Sequence, residues 1–284
     1  MPAAESVPST DGVTVVLHDL GGDGLPLLLC HPTGFHGLVW GPVAAELADV
    51  ARCWSLDFRG HGDSTAPADG DLAWRGMADD VLAVTDHLGL TGVSAVGHSM
   101  GGAALVLAEQ RRPGTFRGLW LFEPIVFPPP EGLRRAEPSM AAAARRRRPS
   151  FPDRDAAYAN YAAKPPLGSL HPAALRAYVD HGFRDAPGGG VELKCTPEME
   201  ARVFEAGAHQ TAFEHLGEVG CEVTVAASGD GGPPAELAAL VASTLPRGHL
   251  ERHRTVSHFG PQEDPVGMAA AIRHALHLGA TTDR

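Results

Sequence analysis

The sequence predicts an α/β architecture: a mostly parallel central sheet with helices on both faces and an inserted helical cap. Three observations predict it. Short, wholly apolar runs such as Leu25-Pro26-Leu27-Leu28-Leu29-Cys30 are bounded by turn signals, which is the pattern of strands buried on both faces of a parallel sheet. These runs alternate with segments of helical periodicity. The alternation then stops at Pro128-Pro129-Pro130 and resumes near residue 219. A core over 1–127 and 219–284, carrying a cap over 128–218, is the expected division. The 284 residues, 44% of them hydrophobic, suit one large domain with an insertion.

Taken in order, a loose N-terminus leads into 13–18, which alternates as an edge strand does, and then a glycine-rich turn at 20–24. Strand 25–30 follows, then a helix over 41–48 and a strand over 51–56. Val81, Leu82, Val84 and Leu88 place a helix over 77–88. Val93, Ala95 and Val96 form a buried strand, residues 103–108 a helix, and 116–122 another strand with Glu123 at its end. In the cap, helices are expected at 156–163, 172–181 and 196–206, and no buried strand is visible. The sheet resumes at 221–227, with a helix over 234–245, a strand near 250–256 and a last helix over 265–277.

The charge balance, 23 basic against 34 acidic residues, gives a formal net charge of −11. Such a chain is a poor general binder of nucleic acid or of an anionic membrane, so neither is an expected partner. A small-molecule substrate is expected instead, and a homo-oligomer stays open. The run Arg145 to Arg148 is taken as a solvated face of a cap helix rather than an acidic-ligand or nucleic-acid patch, because the chain is acidic overall and no aromatic residues are interleaved with the run. Cys30, Cys53, Cys195 and Cys221 show no metal-ligand spacing and are expected to be reduced core thiols, with no metal. Residues 1–10 lack a basic region and an apolar run of signal length, and no stretch reaches the ~20 apolar residues of a membrane span. A cytoplasmic location is therefore expected.

The chemistry converges on Val96-Gly97-His98-Ser99-Met100-Gly101-Gly102. A serine between a buried strand and a helix sits on a turn so sharp that its neighbours at minus two and plus two have no room for side chains. Ser99 is thereby pushed outward to the helix N-terminus, where backbone N–H groups and the helix dipole favour developing negative charge. With its flanking strand and helix, this stretch resembles the nucleophile turn of the α/β-hydrolase family, and the resemblance extends over nearly the whole chain.

That resemblance implies a serine hydrolase that cleaves a small ester, lactone or related acyl substrate through an acyl-enzyme, with no cofactor. A carbon–carbon bond hydrolase or a cofactor-free perhydrolase on the same triad, and a non-catalytic ligand-binding homologue, are the alternatives. Ser257-His258-Phe259-Gly260 resembles the family's histidine loop and implies His258 as general base. The acid departs from the family's pattern. The third residue beyond Gly229, where most members carry it, is Gly232. Asp230 is one candidate and Glu123 the other, the latter standing where the resemblance to one branch of the family implies the acid and favoured also because a carboxylate ending a buried strand needs a specific partner. The oxyanion donors implied are the amides of Met100 and, in His31-Pro32-Thr33, of Thr33, with Gly34 and Phe35 as fallbacks. Asp57-Phe58-Arg59-Gly60-His61-Gly62-Asp63-Ser64 resembles a loop-tying motif of the same family, and His98 is taken as support for the serine turn.

Overall fold

The computed structural model describes residues 3–129, 137–229 and 231–279. Its strands in chain order begin with β1 (Ala3–Pro8), β2 (Thr14–Gly21) and β3 (Leu25–Cys30). Helix α1 (Gly41–Leu47), β4 (Ala51–Asp57), α2 (Trp74–His87), β5 (Val93–His98), α3 (Met100–Arg111) and β6 (Phe116–Phe122) follow. After an inserted segment come β10 (Glu222–Ser228), α8 (Pro233–Thr244), β11 (Gly248–His253), α9 (Gly260–Glu263) and α10 (Pro265–Ala275). The order across the eight-stranded sheet is β1-β2-β4-β3-β5-β6-β10-β11. β1, β2 and β4 pair antiparallel, and every later pairing is parallel.

Strand β3 shows why its wholly apolar sequence is required. Leu28 and Cys30 enter a core shared with α2, α3 and α8, while Leu27 and Leu29 enter the core on the other face, shared with α1 and α10. β6 alternates in the same way, with Leu119 and Leu121 on one side and Trp120 and Phe122 on the other. Each such side chain contributes about 1.5–3 kcal/mol on burial, so a polar residue on either face of these strands would be costly.

Two sequence expectations are corrected at the edges. The strand expected at the sheet edge is the second one in, because the N-terminus forms β1 against it. β1 is exposed at every position except Val7 and so carries no alternation to read. The insertion also contains strands. It holds α4 (Glu137–Arg145), β7 (Ser150–Phe151), α5 (Arg154–Ala162), α6 (Pro172–Gly182), β8 (Phe183–Asp185), β9 (Val191–Leu193) and α7 (Pro197–Gly207). The three short strands form a separate sheet in the order β7-β9-β8, burying Phe151, Phe183, Val191 and Leu193. Strands of two and three residues are too short to show a period.

The loop after β4 is a structural knot. Arg59, fully buried, donates from Nε and Nη2 to the Asp80 carboxylate and from Nη1 to Asp11. Asp57 accepts the amides of Gly37 (2.7 Å) and Asp63 (2.9 Å), and Gly62 at φ +51° lies so close to Asp57 that no side chain fits. All four cysteines are free and buried. Burial pushes the Cys53 and Cys221 thiols up to about 12 and raises Cys30 and Cys195 as well. Among the described residues no helix is long and apolar enough to cross a membrane.

Candidate functional site

Ser99 stands between β5 and α3 at φ 55° and ψ −115°, a conformation that costs a non-glycine residue of the order of 1–3 kcal/mol. Its surroundings impose that geometry. The Ser99 N–H donates to the Phe122 carbonyl (3.0 Å), and the Ser99 carbonyl accepts from Ala103 and Ile125 (both 3.2 Å). A Cβ on Gly97 would stand 2.6 Å from Gly102 Cα, and one on Gly101 2.3 Å from the Cys30 carbonyl oxygen. Both glycines flanking the serine are thus set by backbone contacts.

Glu123 closes β6 with φ 43° and is buried. Its backbone N–H donates to the Ala226 carbonyl (2.8 Å), and its Oε1 accepts the Ser228 N–H (2.8 Å) at the end of β10. Its Oε2 lies 2.6 Å from Nδ1 of His258, in the loop that follows β11. A carboxylate only accepts, so Nδ1 carries the proton in the neutral imidazole and Nε2 is left with its lone pair. Ser257, where the sequence departs from a glycine, ties this loop down. Its N–H and Oγ both donate to the Glu263 carboxylate (2.7 Å each), which also accepts from Ser169 of the inserted segment (2.6 Å). Asp230 lies outside the described residues.

At the His31-Pro32-Thr33-Gly34-Phe35 turn the amides are distributed unequally. Gly34 N–H donates to His61 Nε2 (3.1 Å) and Phe35 N–H to the Pro32 carbonyl (3.2 Å), so both fallback donors are committed. Among the described residues the Thr33 amide has no acceptor, and Met100, first residue of α3, has none within its helix. Buried imidazoles brace the turn. His31 donates from Nδ1 to Pro32 O (2.8 Å) and accepts the Phe58 amide at Nε2 (3.1 Å), while His61 donates from Nδ1 to Arg59 O (3.1 Å). Burial lowers His31 well below the usual histidine value and His61 to about 4, which keeps both neutral. His98 is likewise held well below its usual value, first by burial and then by His258, whose ring lies 5.0 Å away.

Thr33, Ser99 and His258 line one cavity of about 530 Å³, a size that fits a small organic molecule. Phe35 and Phe259 stack at 5.7 Å and form part of its wall, and the inserted segment contributes Met140, Ala144, Leu167 and Phe204. Among the described residues no group of histidine, cysteine or carboxylate side chains is arranged to hold a metal ion. Residues 26–184, more than half of the chain, match the α/β-hydrolase fold family. The chain belongs to that family.

Similar proteins include further α/β-hydrolases. A probable protein phosphatase methylesterase 1 of Caenorhabditis elegans is 34% identical over 101 residues, 34% of this chain and 28% of that protein. A bifunctional esterase/perhydrolase of Acinetobacter calcoaceticus is 35% identical over 117 residues, 38% of this chain and 39% of that protein. The matched stretches therefore span well under half the length of these relatives. The crystal structure of E-2-(acetamidomethylene)succinate hydrolase superposes over 98% of this chain and 100% of its own, with a TM-score of 0.81 at 19% identity.

Within this α/β-hydrolase the arginine run is not one solvated face. Arg145 pairs with Glu198 (2.8 Å) and Glu205 (2.6 Å) at the surface, but Arg147 turns inward. It pairs with Glu200, bonds the Tyr178 hydroxyl and approaches that of Tyr161 (3.4 Å), all four lining the cavity. Burial raises Glu200 above the usual carboxylate value, with Arg147 opposing. The expectation of a helix face fails because α4 ends at Arg145, and Arg146, Arg147 and Arg148 lie beyond it in irregular backbone.

Proposed function

We propose that the protein is a serine hydrolase of small esters, lactones or related acyl substrates, working through an acyl-enzyme. The observation that carries this reading is the 2.6 Å bond between His258 Nδ1 and the buried Glu123, on a histidine that shares its cavity with the strained Ser99. Ser99 Oγ attacks the substrate carbonyl carbon as its proton passes to His258 Nε2. The resulting oxyanion takes the amides of Thr33 and Met100, neither of which has an acceptor among the described residues. Collapse expels the alcohol, which receives the proton from His258, and leaves the acyl group on Ser99. Water then attacks the acyl carbon with His258 as base, releasing the acid and restoring the serine. Glu123 holds the imidazole in the productive tautomer and stabilises the imidazolium. The inserted segment serves as a cap that excludes bulk water and shapes the pocket.

A fluorophosphonate followed by intact-mass measurement tests this. One adduct is expected on the wild type and none on Ser99→Ala or His258→Ala. A folded wild type that takes up no adduct and turns over no short-chain ester would overturn the reading in favour of a ligand-binding homologue.

A further inference from the structure

The charge lining the cavity runs against the charge of the chain. The sequence carries 34 acidic residues against 23 basic ones, and surface arginines such as Arg52, Arg75 and Arg273 hold acidic partners. The cavity that contains Ser99 is instead lined by Arg146, Arg147, Arg148 and Lys164, with Glu200 its single carboxylate among the described residues. Glu200 is already taken by Arg147, and that pair is closed off by the Tyr178 hydroxyl. Three cations remain without a carboxylate among the described residues. Lys164 Nζ reaches only the Asn160 side-chain oxygen (3.2 Å). Arg148 lies over the Phe151 ring at 4.3 Å and donates to the Ser150 carbonyl (2.9 Å). Arg146 has no hydrogen-bonded or ionic side-chain partner there at all. All three are exposed, whereas Ser99, which lines the same space, is buried.

A cleft of one charge sign focuses the field and concentrates the opposite ion, and guanidinium and ammonium groups are the usual partners of oxyacid anions. We propose that the site selects substrates bearing an anionic oxyacid group, carboxylate or phosphate, held on the solvent side by Arg146, Arg148 and Lys164 while the scissile carbonyl lies at Ser99. This rests on the hydrolase reading and adds a substrate class to it. Apolar side chains lining the same cavity, Phe35, Leu167 and Phe204 among them, accommodate a short carbon skeleton. Arg147 has a different part: it neutralises Glu200, whose carboxylate packs against Gly34 of the oxyanion turn.

The test compares 4-nitrophenyl butyrate with 4-nitrophenyl hemisuccinate, which match in length and leaving group, each rate being taken net of the enzyme-free rate because the hemisuccinate carboxylate also expels nitrophenolate by closing to succinic anhydride. In the wild type at low salt, kcat/KM is expected to favour the hemisuccinate by about tenfold or more. That ratio is expected to fall towards one in 1 M salt, where the screening length is about 3 Å. Arg146→Gln/Lys164→Gln is expected to lower the ratio at least about fivefold, whereas Arg247→Gln/Arg273→Gln, which removes the same charge away from the cavity, leaves it in place. A ratio at or below one in the wild type, with butyrate still turned over, would overturn this proposal alone. Loss of turnover of both esters by folded protein would overturn the hydrolase reading and this proposal together. Competition against the butyrate assigns the anion: inhibition by succinate marks a carboxylate site, by inorganic phosphate a phosphate site, and by neither overturns the proposal.

Discussion

Replacing Glu123 by glutamine changes one atom's hydrogen-bonding sense and little else. The amide oxygen still accepts the Ser228 N–H, so the NH₂ group faces His258 Nδ1 and makes it an acceptor. The proton then resides on Nε2, the nitrogen that accepts one in the proposed mechanism. Glu123→Gln is therefore expected to lower kcat by roughly 10³–10⁴-fold, as wrong-tautomer substitutions in serine triads do, with the thermal midpoint nearly unchanged. Asp230→Asn is expected to cost less than about threefold, and a reversal of that ranking would move the orienting role to Asp230. Glu123 could be singled out in the sequence because a carboxylate at the end of a buried apolar run has to find a partner. The resemblance of the turn, with Trp40 nine residues beyond His31, places Thr33 ahead of Gly34, but the commitment of the Gly34 amide is not legible there. It depends on His61, 27 residues away, taking the Gly34 amide, and only the folded chain brings the two together.

At the scale of an element, the turn from β5 to α3 is limited by backbone rather than by side chains. Gly101→Ala drives a Cβ to 2.3 Å from the Cys30 carbonyl oxygen, and no rotamer change relieves it. A loss of about 3 kcal/mol, the upper end for overpacking, is expected in urea denaturation. Gly217→Ala, in the short 3₁₀ turn ahead of β10, with no atom beyond its own neighbours within 4 Å of the new methyl, is expected to be neutral or slightly stabilising. Equal midpoints for the two variants would show that the turn has slack. The elements that the sequence announced with matching bounds, β3 and β6, are buried on both faces and leave no freedom in composition. The missed ones have the opposite character: β1 is solvated and β7 to β9 span at most three residues, so their pairing is decided by what they meet. Burial also explains the misjudged arginine run, since Arg147, beyond the end of α4, is drawn inward by Glu200 of α7 and Tyr178 of α6.

The whole molecule stores its acid sensitivity in imidazoles. Burial lowers His36 and His61 to about 4 and holds His31 and His98 well below the usual value. The unfolded chain binds these protons near pH 6.5, so between about 4 and 6.5 it holds more protons than the folded one and stability rises with pH. The contribution is complete above about 6.5 and is lost as pH falls towards 4. Each imidazole contributes a slope of about 1.4 kcal/mol per pH unit within that window, and a loss of about 3 kcal/mol or more is expected between pH 7.5 and 5. A denaturation midpoint unchanged over that range would mean that these rings are already protonated or solvated in the folded state. The four thiols lead to a practical end. Shielded and held protonated, they leave the native surface silent to maleimides, and Ellman's reagent is expected to titrate them only after denaturation. A cysteine placed at Met140, half exposed on the cavity rim, would then accept a single dye, turning the brightness of one fluorophore into a direct gauge of molecules passing in and out.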